Sequence, residues 1–237
     1  MDPEQKQKWL DRGVWLLIAF CWLYIFTYSR SLNNPNERTR VMQTRAIVET
    51  GRLSIAESFR DDQGRMKVRD LYGQIHNGQF VNDLSLVCRN ANEQPPNCAG
   101  LIYPAKSPGA ALIGVPALFV ADLLGAIPEG PAGEMQATWV TRYFGIALLM
   151  FLSLFAFARV LALVGLTRSL NRAVLLTTAL GTTIFTYGIM FVGHALAGGA
   201  LIVGIWMLLE AQRKSCWICA ALAGLATASA VFLEYHS

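Results

Sequence analysis

Five long apolar windows constrain the fold of this chain more than any other feature. They cover residues 13–29, 143–166, 173–192, 195–211 and 217–235. A helix needs about 20 mostly apolar residues to cross a bilayer. Only 15% of the residues are charged, whereas a soluble domain has about 25%. The sequence therefore predicts an all-α polytopic membrane protein with five transmembrane helices.

The basic residues predict which way the helices run. The first window is rich in aromatic residues and lacks a small-residue cleavage site, which favours a retained anchor over a signal peptide. Lys and Arg in short loops mark the cytoplasmic side, and here they are Lys6, Lys8, Arg12, Arg168, Arg172, Arg213 and Lys214. Five alternating spans put all of them on one side. Residues 1–12 are then a cytoplasmic tail, and residues 30–138 an extracytoplasmic loop.

A sixth apolar stretch, 108–127, is treated differently. It contains Pro116 and Asp122, and an ionisable side chain in the middle of a membrane is costly. If this stretch crossed the membrane as well, the basic loops that follow it would lie on the extracytoplasmic side, the reverse of the usual distribution. The stretch is therefore predicted to be a re-entrant or interfacial helix within the extracytoplasmic loop.

Residues 35–50 are flanked by the start and stop signals of a helix, and they follow the first span. Asn34 is a candidate N-cap, Pro35 occupies the first turn, Glu37 lies three residues after the cap, and Gly51 ends the pattern. We expect a juxtamembrane helix on the membrane surface.

The cysteines divide by predicted compartment. Cys88 and Cys98 lie in the extracytoplasmic loop, where oxidation is permitted, so a short disulfide loop is predicted, with two free thiols as the alternative. Cys216 and Cys219 form a CxxC without a thioredoxin-like pattern around it. We interpret this second pair as inert thiols.

Several polar residues fall near the outer face under this topology. They are Glu37, Asp70, Lys106, Arg142, His194, Glu234 and His236. Considered separately, Glu37 is explained as a helix-capping carboxylate and Arg142 as a residue at the membrane interface. Together with Lys106 they favour a site. A divalent metal ion on Glu37, His194 or Glu234 is left open, because their scattered spacing is weak evidence for metal binding.

Four segments of the sequence are similar to segments of a known protein family. In order, NERTR, AIVETGRLSI, NGQFVND and YPAKSPGAALIGVP resemble membrane glycosyltransferases of the GT-C fold. The most similar groups are the protein O-mannosyltransferases (family 39-like) and the lipid A aminoarabinose transferases. GHALA and the EY near the end extend the likeness over most of the chain, which is similar to the amino-terminal half of such proteins. The resemblance implies a GT-C-like helix bundle in the bacterial inner membrane.

The resemblance also implies roles for individual residues. The family transfers a sugar from a polyprenyl-phosphate donor to an acceptor on the extracytoplasmic face. Lys106 would bind the lipid phosphate, with Arg40 and Arg142 as further donors. Family members have Asp-Glu where this chain has Asn36-Glu37. Glu37 is therefore the candidate general base, with Asp70 and Asp83 as further candidates.

Two other classes remain open. A non-catalytic protein that binds or transports lipid-linked sugars is favoured by the missing aspartate and the short chain. The second class is a purely structural membrane anchor, in which Lys106 would only set how deeply its segment lies in the membrane interface. The sequence names neither the sugar nor the acceptor, and nothing in it suggests nucleic-acid binding.

Overall fold

A computed structural model describes residues 2–25, 34–56, 75–76, 79–80, 84–87, 101–128 and 130–234. This part of the molecule is mostly helical, as the sequence predicts. The helices are α1 Pro3–Ala19, α2 Pro35–Thr50, α3 Gly109–Leu123, α4 Gly130–Val140, α5 Leu148–Leu163, α6 Arg168–Gly181, α7 Thr183–Gly188, α8 Gly193–Lys214 and α9 Trp217–Leu233. A π-helical segment, Phe20–Ile25, extends α1, and another, Thr141–Ala147, joins α4 to α5.

The described residues also include four short strands, which form two antiparallel pairs. Strand β1, Ile75–His76, pairs with β2, Gln79–Phe80, and β3, Leu84–Val87, pairs with β4, Leu101–Pro104. Strand β4 leads directly towards Lys106 and α3.

Helix α2 has the same bounds as the helix expected from the sequence, and its ends explain why. The side chain of Asn34 accepts a hydrogen bond from the backbone N–H of Asn36 at 2.9 Å, so it caps the first turn. Gly51 has φ of +69°, a left-handed conformation that glycine adopts without steric cost and that ends helices.

The longer helices run between two ends of a bundle. At the Glu234 end, α9 finishes while α8 and α3 begin, and the backbone of Gly193 lies against Glu234. At the Glu210 end, α5 and α8 finish while α6 and α9 begin. There Arg172 Nη1 donates to Asp11 Oδ1 at 3.2 Å, which ties α6 to α1.

Close packing fixes the Glu234 end. The ring of Phe191 is fully buried and lies against Gly114 and Gly145, where a Cβ atom would approach it to 2.9 and 2.6 Å. The indole N–H of Trp22, also fully buried, donates to the carbonyl of Ala179 at 2.8 Å. Small residues therefore let α3, the second π segment and the chain before α8 meet around one aromatic ring.

Two helices of the described part are long and apolar enough to cross a membrane. They are Ala132–Leu163, with 32 residues, and Gly193–Lys214, with 22. Helices α3 and α9 are apolar but shorter, with 15 and 17 residues. At 1.5 Å per residue, α3 reaches only about 22 Å, less than the roughly 30 Å of a bilayer core.

Two predicted windows differ from the helices observed. The window 173–192 is not one helix, because α6 ends at Gly181 and the hydroxyl of Thr182 then accepts from the N–H of Ile184 to start α7. In the first window the helix begins at Pro3, so most of the predicted tail is helical. A proline in the first turn suits a helix start there.

Candidate functional site

Six of the predicted site residues meet at the Glu234 end. We call them the site cluster: Asn36, Glu37, Arg40, Arg142, His194 and Glu234. They come from the first turns of α2, the second π segment, the first turn of α8 and the residue after α9. The alternation of predicted spans placed four of them, Glu37, Arg142, His194 and Glu234, near one face without assigning mutual contacts, and the family resemblance added Asn36 and Arg40.

Glu37 is held on both carboxylate oxygens. Arg142 donates to it twice, from Nε to Oε1 and from Nη2 to Oε2, each at 2.6 Å. The backbone N–H of Phe191 donates to Oε1 at 2.8 Å. With Glu37 only 1% exposed, this is a buried bidentate ion pair, the strong form of the arginine–carboxylate contact.

A second ion pair lies beside the first. Arg40 Nη2 is 3.3 Å from Glu234 Oε2, and its Nη1 donates to the carbonyl of Asn36 at 2.8 Å. Arg40 and Glu234 are both buried. The two arginines and two glutamates of the cluster therefore cancel in formal charge.

His194 extends the second pair towards the surface. Its Nδ1 lies 3.5 Å from Glu234 Oε2, and its side chain is 52% exposed while that of Glu234 is fully buried. Nδ1 is therefore the ring nitrogen that contacts the buried carboxylate.

Glycine at position 193 makes this arrangement sterically possible. A Cβ atom there would lie 2.6 Å from Glu234 Oε2 and 2.6 Å from the carbonyl of Leu233. Any larger residue would displace the buried carboxylate.

Lys106 lies in the turn between β4 and α3 and is half-buried. The next residue, Ser107, donates its hydroxyl hydrogen bond to the carbonyl of Phe232 near the end of α9. This contact holds the turn at the Glu234 end. Within the described part of the chain, no hydrogen bond or ion pair engages the ammonium group of Lys106, which distinguishes it from both arginines of the cluster.

Sequence reasoning missed three contributors to the site. The N–H of Phe191 and the backbone of Gly193 carry no signal in the sequence. Glu134 pairs with Arg38 at 2.6 Å and joins α4 to α2. Burial lowers the pKa of the Arg38 guanidinium, and the charge of Glu134 partly offsets that effect.

Other predicted features lie outside the described residues. These are Asp70, Asp83 and His236, and the proposed disulfide of Cys88 and Cys98. Cys216 and Cys219 are free and half-buried. Among the residues with described positions, no three His, Cys, Asp or Glu side chains gather in a group that would hold a metal ion.

Comparison of the chain with protein families, with curated proteins and with solved structures gives no match. The function is therefore inferred from the geometry of the site cluster, from Lys106 and from the sequence resemblance.

Proposed function

We propose that the protein is a multi-pass glycosyltransferase of GT-C type in the bacterial inner membrane. It takes a sugar from a polyprenyl-phosphate donor and transfers it on the extracytoplasmic face, at the Glu234 end. The observation that carries the proposal is Lys106, a lysine that has no ion-pair partner among the described residues and lies at the same end of the bundle as a buried network of neutralised charges.

The distribution of polar and apolar side chains supports a membrane location. Charged residues such as Glu37, Arg142 and Glu234 are buried. Large apolar side chains are exposed on α5, α8 and α9: Leu152, Phe155, Leu201, Ile205, Leu208, Leu225 and Val231. In water, an exposed apolar surface of this kind would promote association with other molecules. In a bilayer, the lipid chains solvate it.

The charge state of the site supports an anionic ligand. Arg40 and Arg142 are already matched by carboxylates, whereas Lys106 supplies a positive charge that no carboxylate of the described residues matches. Sugar transfer from a polyprenyl phosphate breaks the bond between the anomeric carbon and the phosphate oxygen, and the phosphate leaves as a dianion. A lysine ammonium stabilises that developing charge as a point charge.

The acceptor hydroxyl must lose its proton as its oxygen bonds to the anomeric carbon. Glu37 is the base proposed from the resemblance, but it already accepts three N–H groups and is buried. His194 is exposed, and Glu234 orients its ring. The contacts therefore favour His194 as the proton acceptor, with Glu37 positioning Arg142.

A second candidate is a protein that binds or transports lipid-linked sugars without chemistry. The contacts of Glu37 favour it, since both carboxylate oxygens already accept hydrogen bonds from Arg142. Both candidates share Lys106 as the phosphate ligand.

Release of polyprenyl phosphate from the donor tests the proposal, because transfer to any acceptor, including water, produces it. The protein in proteoliposomes is given a panel of radiolabelled polyprenyl-phosphate hexoses and pentoses. We expect release by the wild type and a loss of about 10²-fold or more in Lys106→Gln, the effect of removing one donor to a developing oxyanion. Lys8→Gln, which removes an exposed lysine paired with Glu4, is the matched control.

The outcomes separate the candidates. Lower release in His194→Gln than in Glu37→Gln supports His194 as the base, and the reverse order supports Glu37. Binding of polyprenyl phosphate without release from any donor favours the binding protein. A protein that neither binds polyprenyl phosphate nor releases it from a donor would contradict both candidates.

A further inference from the structure

A second charged cluster lies at the Glu210 end of the bundle. Glu210 is buried and accepts from three cations on α5 and α8. Arg159 Nη2 is 3.3 Å from Oε1, while Arg213 Nη2 and Lys214 Nζ are 2.9 and 3.0 Å from Oε2. We call the three cations the basic triad.

The triad carries more positive charge than its carboxylate neutralises. Three cations against one anion leave a formal charge of +2, and the side chains of Arg159, Arg213 and Lys214 are each more than half exposed. Only one nitrogen of Arg159 contacts Glu210. Since an arginine has five N–H donors in a rigid fork, most of that fork faces outward.

The favourable field at the end of a helix does not by itself explain the cluster. Arg213 and Lys214 lie in the last turn of α8, where the helix dipole attracts cations. Arg159 belongs to α5, however, and reaches Glu210 across the helix–helix contact. The buried carboxylate therefore gathers cations from two helices into one preorganised group.

The surroundings of the triad indicate a lipid. Helix α8 is one of the two helices able to cross a membrane, and the triad lies at its end. The exposed apolar side chains of Leu208, Trp217 and Ile218 flank it in sequence. Cations beside an exposed tryptophan and aliphatic side chains suit a headgroup phosphate with its acyl chains.

We propose that the basic triad, organised by Glu210, binds the phosphodiester headgroup of an anionic glycerophospholipid. The proposal rests on the membrane placement of the proposed function and is independent of any sugar transfer. The ligand contacts the outward donors of Arg159, Arg213 and Lys214, and its acyl chains lie along the exposed apolar residues.

Lipid retention by the purified protein tests this proposal. The protein is delipidated and incubated in mixed micelles with phosphatidylglycerol or phosphatidylcholine, and the lipids retained are counted by native mass spectrometry. We expect the wild type to prefer phosphatidylglycerol. We expect the triple variant Arg159→Gln/Arg213→Gln/Lys214→Gln to bind it at least about tenfold more weakly, since one charge-assisted hydrogen bond contributes about that factor.

A matched control removes three charges elsewhere. Lys6→Gln/Lys8→Gln/Arg12→Gln takes the same charge from exposed residues of α1 and should retain phosphatidylglycerol as the wild type does. Lys106→Gln should also retain it, which separates this site from the proposed donor site. Because exposed ion pairs contribute little to folding, the single variant Lys214→Gln provides a folded comparison and should lose part of the affinity.

Three results would overturn the proposal. The first is equal loss in the triad variant and the α1 variant, which would indicate only general surface charge. The second is the absence of a preference for phosphatidylglycerol in the wild type. The third is full competition by millimolar inorganic phosphate, which would indicate a soluble phosphate ligand. Absence of sugar transfer would leave the lipid result unaffected.

Discussion

The two ends of the bundle use the same residue types in opposite ways. At the Glu234 end each buried glutamate pairs with a buried arginine, Glu37 with Arg142 and Glu234 with Arg40. At the Glu210 end a single buried glutamate holds three exposed cations. The first arrangement is neutral and closed, while the second leaves net positive charge on the surface.

The difference shows that burial decides how much the loss of one ion-pair partner affects the stability of the fold. Removing one partner of a buried pair leaves an uncompensated charge in a poorly solvated place, which is strongly destabilising. Removing one exposed cation from Glu210 still leaves that buried carboxylate with two cations as partners. The buried ion pairs of the Glu234 end should therefore respond to substitution mainly through folding, and the basic triad of the Glu210 end mainly through binding.

The largest expected effect is that of Arg142→Gln. It leaves Glu37 buried, with the N–H of Phe191 as its remaining donor among the described residues. We expect the free energy of unfolding to fall by about 3–5 kcal/mol, measured by denaturant titration in detergent.

The matched comparison for this prediction is the double variant Glu37→Gln/Arg142→Gln. It removes both charges, so it should be more stable than Arg142→Gln alone. A double variant less stable than Arg142→Gln alone would show that the pair is not the source of the effect.

An intermediate effect is expected for Gly193→Ala. The new methyl group would lie 2.6 Å from Glu234 Oε2, so the buried carboxylate or α8 must shift. Overpacking of this kind costs about 1–3 kcal/mol, observable as a lower melting temperature.

Gly198→Ala is the control in the same helix. Nothing lies within 4 Å of a Cβ atom at that position, and alanine is the better helix former by about 0.5–1 kcal/mol. Equal melting temperatures for the two alanine variants would remove the argument for a tight contact at Gly193.

A small effect on stability is expected for Arg213→Gln at the Glu210 end. Glu210 keeps Arg159 and Lys214 as partners, and the cation that is removed is more than half exposed, so the loss should be close to the roughly 0–1 kcal/mol of surface ion pairs. Denaturant titration should show a change within that range. A loss as large as that of Arg142→Gln would contradict the comparison between the two ends.

Lys106→Gln should have the smallest effect on folding. The ammonium group has no partner among the described residues, so its removal breaks no contact there. The midpoint of denaturant unfolding should match that of the wild type. A clear loss of stability would indicate a structural role for the lysine.

Local signals in the sequence predicted part of this architecture well. The bounds of α2 follow from Asn34 and Gly51, because capping and left-handed glycine act over a few residues. The grouping of Glu37, Arg142 and Glu234 at one end follows from the alternation of apolar windows.

The partners within that group could not be read from the sequence. Glu37 and Arg142 are 105 positions apart, and their pairing depends on how α2 and the second π segment are rotated about their axes. Hydropathy also missed the break at Gly181 and Thr182, because a short interruption barely changes the mean of a 20-residue window. Exposure likewise distinguished His194 from Glu37 only once the packing was known.

The most direct test of the account measures binding of polyprenyl monophosphate, the group common to all donors of the proposed class. The wild type, Lys106→Gln and the control Lys8→Gln are compared in nanodiscs of phosphatidylcholine. The account predicts binding about 10- to 100-fold weaker in Lys106→Gln alone, the range for a hydrogen bond to a charged group. Equal binding by all three proteins would contradict the claim that Lys106 holds the lipid phosphate.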